Sequence, residues 1–226
     1  GICDPPKIAR ETLTAGLKRR GFHTTEPSKI GGPYLSVVLL QDSFTSFYRP
    51  SIFMAMIDIL LSLPLDFAIL PLRPCGKALH VRGSLGAFEK VARRNVDWLL
   101  PVQESGIPII GIDPAATLLW RDEYPRMLGV DEPPIRVMLP QEWLIDQDLS
   151  SIHAHGSRRL FPHCIEQTLA KESCGQWKQI FDSIGIDLTI MKTSCCGMGG
   201  IFGHQGKFRE QSMRAWDMHW APLEPN

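Results

Sequence analysis

The sequence predicts an α/β protein built on parallel sheet, and three observations carry that expectation. From Tyr34 onward, short apolar runs alternate with amphipathic stretches of helical period. The apolar runs are continuous and aliphatic, as in strands covered on both faces. A twelve-residue piece of the first half also recurs without a gap in the second half, Asp66 falling on Asp187, a displacement of 121 residues.

Residues 1–33 hold one modest amphipathic helix carrying Ile8, Leu13 and Leu17 and stopped by Gly21. A Pro/Gly-containing stretch from Pro27 to Pro33 follows, so the segment reads as a lead-in and not as a domain. The pattern then predicts strand 35–40, helix 51–63, strand 66–72, helix 84–100, strand 107–113, helix 115–128 and strand 135–139. Further on, the stretch between Cys164 and Cys195 reads as one helix leading into strand 187–193, and 207–216 as a closing helix. The repeat lays LDFAILPLRPCG (65–76) on IDLTIMKTSCCG (186–197), with Asp66, Ile69, Cys75 and Gly76 matched identically and Ser43 opposite Cys164. Two similar halves are expected, 34–150 and 151–226, each placing chemical groups at the carboxyl ends of strands, where ligands of open α/β sheets collect. The first half has Ser43 and Pro74 where the second has Cys164 and Cys195, and so reads as a degenerate copy. The second half stops at Asn226, opposite Ser105, and reads as incomplete at its C-terminus.

Length and charge narrow the function classes. The 226 residues suffice for a sizeable core, and 24 basic against 24 acidic side chains give no global electrostatic case for nucleic acid or an anionic membrane surface. No apolar run approaches the ~20 residues that cross a bilayer, and the first residues have no signal-peptide pattern, so a cytoplasmic protein is expected. The absence of an initiator methionine suggests a piece of something longer. Six cysteines are few for a disulfide scaffold, and their clustering at a glycine-rich turn favours metal or redox chemistry.

Cys195-Cys196-Gly197-Met198-Gly199-Gly200 follows a predicted strand, and His163-Cys164 lies upstream. Thiolates are soft ligands suited to zinc and iron–sulfur clusters, and glycines beside them let backbone N–H groups approach sulfur. Cys164, Cys195 and Cys196 are therefore the candidate ligands, with Cys75 as a fourth if the halves face each other. Gly197, Gly199 and Gly200 are expected to act through their backbone. The opposing reading is of buried thiols in a tight turn, or a vicinal disulfide. His163 and His204 flank the turn as ligands, supporting donors or proton carriers, or are simply solvated. Cys174 falls on the apolar stripe of Ala170, Trp177 and Phe181, and Cys3 carries no signal. Gly197-x-Gly199-Gly200-x-x-Gly203 superficially suggests a dinucleotide fingerprint, but cysteines fill its tight turn. Arg49, Arg73, Arg82 and Arg121 attract a carboxylate or merely solvate the surface.

Cys195-Cys-Gly-Met-Gly-Gly-Ile-Phe-Gly-His204, preceded by His163-Cys164, resembles the cysteine-rich CCG domain of heterodisulfide reductase subunits, the glycerol-3-phosphate dehydrogenase anchor subunit and the iron–sulfur parts of glycolate oxidase. Pro74-Cys-Gly-Lys-Ala-Leu-His80 and the segment 112–124 (IDPAATLLWRDEY) resemble further segments of the same family, with Ala116 where that family usually has a cysteine. The nearest resemblance is to the C-terminal region of FAD-linked D-2-hydroxyacid dehydrogenases of the lactate, glycolate or 2-hydroxyglutarate type. It implies an iron–sulfur electron-transfer module, with FAD in the parent protein only. It also implies flavin and ferredoxin-like domains as partners, an unidentified electron acceptor, and a cytoplasmic location, peripheral to the inner membrane through a partner. The chain alone would then not be catalytic. Two other functions remain open at this point: a zinc-holding or metal-free assembly module, and a nucleotide-dependent oxidoreductase.

Overall fold

The computed structural model describes residues 1–3, 5–32 and 34–223. Helix α1 (Leu13–Arg19) is capped by the Thr12 hydroxyl and buries Leu13 and Leu17. The chain then runs β1 (Leu35–Leu40), α2 (Ser43–Phe47), α3 (Pro50–Leu61), β2 (Asp66–Ile69), α4 (Lys77–Val81), α5 (Leu85–Ser105), β3 (Ile109–Gly111), α6 (Pro114–Leu119), α7 (Glu123–Leu128), β4 (Val137–Met138) and α8 (Pro140–Leu144). These strands form one sheet in the order β2-β1-β3-β4, every pairing parallel. The alternating pattern foretold that arrangement, because parallel neighbours need a crossover and helices provide it.

The central strand explains why its sequence does not alternate. Val37 and Leu39 point into one core with Phe53, Ile57, Leu60, Ile69 and Ile110. Val38 and Leu40 point into a second core with Leu70, Phe88, Leu99, Ile109 and Val137. A strand with a core on each face must be apolar at every position. Each fully buried Leu, Ile or Phe contributes about 1.5–3 kcal/mol relative to exposure, so these two layers dominate the stability of the first half.

Beyond α8 come β5 (Ser157–Leu160), α9 (Cys164–Leu169), α10 (Ser173–Ser183), β6 (Asp187–Ile190) and α11 (Arg209–His219), the last preceded by 3-10 turns at Phe202–His204 and Gly206–Phe208. Strands β5 and β6 pair in parallel as a separate two-stranded sheet. The register runs Arg158↔Leu188, Arg159↔Thr189 and Leu160↔Ile190, and in the first half Val37↔Phe67, Val38↔Ala68 and Leu39↔Ile69. The second-half register is that of the first half displaced by 121 residues. The two parts also share packing: Ile180 lies in the same core as Leu39 and Phe53, with Trp177 and Phe181 packed against it.

Several helices differ from the sequence expectation. The lead-in helix begins only at Leu13, so Ile8, which is exposed, lies outside it. The helix expected over 115–128 is two, α6 and α7, because Pro125 belongs in a first turn, where its missing N–H leaves no bond unmade. The single helix expected between Cys164 and the following strand is also two, broken at Ala170 (φ −132°, ψ 66°). Conversely, the helix expected to stop at 100 runs through Pro101 to Ser105 and ends at Gly106, which is left-handed (φ 75°). Among the described residues, no helix is long and apolar enough to cross a membrane.

Candidate functional site

Two turns at the carboxyl ends of corresponding strands hold most of the chemistry. In the second half, the turn after β6 is tied to the segment before α9. Gln167 Nε2 donates to Pro162 O at 3.1 Å and to Thr193 Oγ1 at 3.0 Å, and Thr193 Oγ1 donates to Pro162 O at 3.1 Å. That stitching brings Cys164, at the start of α9, towards Cys195 and Cys196. Burial raises the Cys164 thiol pKa, and the charges of Cys195 and Cys196 raise it further. Cys164 thus lies within electrostatic reach of the other two thiols.

The turn is shaped for sulfur. Gly197 N–H donates to Cys195 Sγ at 3.4 Å. Gly197 adopts φ 83°, and a Cβ there would stand 2.3 Å from the Ser212 carbonyl oxygen, so only glycine lets α11 press this closely against the turn. Trp220 on the far side donates from Nε1 to Ser194 O at 3.1 Å and stacks on Phe161 and Trp216, with ring centroids 5.8 and 5.5 Å apart. Cys195 is exposed, Cys164 and Cys196 are half-buried, and all three are free thiols, as are Cys3, Cys75 and Cys174. Among the described residues, no group of three or more His, Cys, Asp or Glu side chains is gathered closely enough to hold a metal ion. The donor set fits a soft metal in kind: three thiols and an N–H to sulfur around one turn.

His163 caps α9, its Nδ1 accepting from Ile165 N–H at 3.3 Å. Water reaches the ring, yet desolvation by its surroundings lowers its pKa; Glu166 raises it and Lys77 lowers it again. Helix α4 of the first half packs against the glycine turn: Val81 Cγ1 lies 3.7 Å from the Cβ position of Gly200. Gly199 and Gly200 are both left-handed. His204 offers its carbonyl to Cys3 N–H at 2.6 Å, and Ile2 bridges to Gln205, so the N-terminal residues lie against the glycine turn. Sequence reasoning missed that placement of Cys3.

The corresponding first-half turn holds different groups. Cys75 packs against the second core, and burial, then Asp113 and Asp42, raise its thiol pKa. Asp42 caps α2 through Thr45 N–H at 2.8 Å, and Asp113 caps α6 through Ala116 N–H at 2.8 Å. Burial, and secondarily Asp42, push the Asp113 carboxyl up to about 6. A cavity of about 10 Å³, room for a single water, lies between Asp42, Cys75, Gly111 and Thr117. Thr117 Oγ1 is buried there with no partner among the described residues. Beside it Lys77 pairs with Glu123, and Tyr124 donates to Cys75 O at 2.8 Å while accepting from Asn95 Nδ2 at 2.8 Å. Both aspartates precede helix starts, the one sequence signal that marked them.

No family model matches the sequence. The chain is 38% identical over 227 residues to the D-2-hydroxyglutarate dehydrogenase of Pseudomonas putida, an alignment covering 98% of this chain and 22% of that protein. It is 34% identical over 189 residues to the enzyme of the same name from Escherichia coli K12, covering 82% of this chain and 18% of that one. One subunit of the anaerobic glycerol-3-phosphate dehydrogenase of Escherichia coli K12 is 26% identical over 196 residues, covering 83% of this chain and 48% of that subunit. The chain spans about a fifth of the length of the first two relatives. Its homologues are thus dehydrogenases and a dehydrogenase subunit, and the chain corresponds to one portion of each.

Proposed function

We propose that this chain is the cysteine-rich electron-transfer portion of an FAD-linked D-2-hydroxyacid dehydrogenase of the 2-hydroxyglutarate, lactate or glycolate type. The single observation that carries the reading is the glycine-rich turn after β6, where Gly197 N–H reaches Cys195 Sγ and hydrogen bonds through Gln167 and Thr193 tie the segment before Cys164 to the residues before Cys195. These three thiols would hold an iron–sulfur cluster, and Cys75 of the first half is the candidate for a fourth. Such a cluster supplies one-electron transfer, here between a flavin or ferredoxin-like domain of the longer protein and an acceptor. The chain's own residues would hold and tune it. Gly197 presents its N–H to sulfur, Gly199 and Gly200 would do the same, and His163 and His204 would act as supporting donors beside the thiols. A cytoplasmic location, with docking to an acceptor at the inner membrane, belongs to the same reading.

The proposal includes two copies of one unit, 34–150 and 151–226, behind a lead-in at 1–33. It is supported by the strand registers displaced by 121 residues and by the left-handed glycine at both turns, Gly76 and Gly197. The first copy, with Ser43, Pro74 and Ala116 at the ligand positions, would hold no cluster.

The test is iron, sulfide and zinc content with a visible spectrum on anaerobically prepared protein. Iron with a broad visible band that bleaches on reduction is expected, and Cys195→Ala is expected to abolish it. Unchanged iron content in that variant would overturn the ligand assignment. Cys75→Ser is expected to lower iron content, and an unaltered value removes Cys75 from the set. Colourless protein with stoichiometric zinc would instead select an assembly module held by a zinc clip.

A further inference from the structure

Three exposed aliphatic side chains from distant parts of the chain meet at the glycine turn. Ile201 directly follows Gly199 and Gly200 and is 44% exposed. Val81 of α4, 45% exposed, brings Cγ1 to 3.7 Å from the Cβ position of Gly200. Ile2, 66% exposed, bridges to Gln205 on the far side of Ile201. Cys195 is exposed at the start of the same turn. Single exposed aliphatics are ordinary on a protein surface, but three delivered to one turn by the N-terminal residues, the first half and the second half make a patch.

The rim of that patch is cationic. Arg82 follows Val81, and Lys192 lies three residues before Cys195. Lys207 sets its Nζ 4.5 Å from the ring centroid of Phe208, which stacks at 4.4 Å on Phe202, the neighbour of Ile201. All three cations are exposed, and none has an ion-pair partner among the described residues. The nearby acidic groups are engaged elsewhere: Glu123 is buried and paired with Lys77, Glu166 is buried against Gln141 and Ser173, and Glu210 is paired with Arg214. The sequence holds no acidic residue from Leu188 to Arg209, and none from Arg73 to Phe88. Asp4, next to Cys3, lies outside the described residues. An apolar centre supplies contact area, and an unpaired rim of one sign steers a partner of the opposite sign.

We infer that Ile2, Val81 and Ile201, within a rim of Arg82, Lys192 and Lys207, form the docking surface for a small acidic redox protein that carries electrons from the centre at Cys195 towards the acceptor. The partner's class rests on the electron-transfer reading above, whereas the sign and position of the surface rest on the patch itself. The occupant is acidic because all three rim charges are positive. It is a redox protein because the patch adjoins the exposed thiol, where a partner's own centre makes its closest approach. One electron passes from the reduced centre of this chain to the oxidised carrier, and no bond is made or broken. A patch of a few residues suits a transient contact, since electron-transfer partners bury less than about 1,200 Å².

The experiment titrates the chain with a plant-type [2Fe–2S] ferredoxin, a small acidic redox protein, by isothermal calorimetry at low and at high salt. Binding that weakens about tenfold or more from low to high salt is expected, because added salt screens exposed charges. Reversing the rim with Arg82→Glu, Lys192→Glu and Lys207→Glu together is expected to weaken low-salt binding by about tenfold or more, and Ile201→Ser to weaken it alike at both salt concentrations. No binding, salt-independent binding or an unaffected rim variant overturns the inference. Equal binding of basic cytochrome c overturns it by sign, and equal binding of an acidic protein without a redox centre overturns it by class. A chain that elutes as a dimer with Val81 and Ile201 protected from amide exchange also overturns it, because a second copy then covers the patch. The titration needs no metal in this chain, so the two readings fail separately: ferredoxin binding by iron-free protein supports the docking surface while the cluster assignment falls, and iron without binding does the reverse.

Discussion

At Gly197 two demands meet in one residue: a left-handed backbone, and a neighbouring helix whose Ser212 carbonyl would lie 2.3 Å from any Cβ. Gly106 is equally left-handed at φ 75°, but nothing lies within 4 Å of its Cβ position. Gly106→Ala is therefore expected to cost about 1 kcal/mol and Gly197→Ala more than ~2 kcal/mol, measured as shifts of the urea midpoint. Asp113 makes a prediction of opposite sign. Its carboxyl is raised from 3.8 to about 6 by burial and by Asp42, so the folded state keeps a proton that the unfolded chain releases. Its contribution is fully favourable below about pH 4, declines as pH rises through about 6, and is a net cost above that. Asp113→Asn keeps a helix cap and removes the charge. It should stabilise the protein at pH 7 by on the order of 2 kcal/mol and flatten the pH dependence between about 4 and 6. Equal stability of the two proteins at pH 7 would show that the carboxyl is solvated after all.

Between elements, a buried polar clasp joins the two halves. Gln141 on α8 donates from Nε2 to Glu166 Oε1 at 2.9 Å and to Ser173 Oγ at 2.7 Å, and Ser173 in turn donates to Glu166. Gln141→Leu would remove one of the two donors to a carboxylate that is only 7% exposed, and is expected to cost ~1–3 kcal/mol in chemical denaturation. The clasp also accounts for a sequence expectation that failed. A run of helical period from Cys164 onward predicts one helix, but folding Ser173 back onto Glu166 requires two. Nothing in hydrophobic spacing reports a hydrogen bond between a helix start and the preceding helix. Strand positions were far more legible, since β1 lies where continuous aliphatic residues placed it, and β2 and β6 begin at the residues expected, Asp66 and Asp187.

Across the whole molecule, Ile180 of α10 shares a core with residues from α1, α3 and β1, so the parts are expected to unfold together. Thermal melts followed by far-ultraviolet circular dichroism and by tryptophan emission should coincide; separate transitions would mean that the shared core contributes little. The sequence by itself determined the α/β class, the parallel strands and the segments that carry the thiols. Each of these is written in local periodicity and in a repeated string of residues, which survive without knowledge of what packs where. Only the tertiary structure decided that α10 joins the first-half core, that Cys3 rests by the glycine turn, and that Asp42, Cys75 and Thr117 line one small cavity. Those facts depend on contacts between residues far apart in the chain, where burial and neighbouring charge, not residue type, set the chemistry.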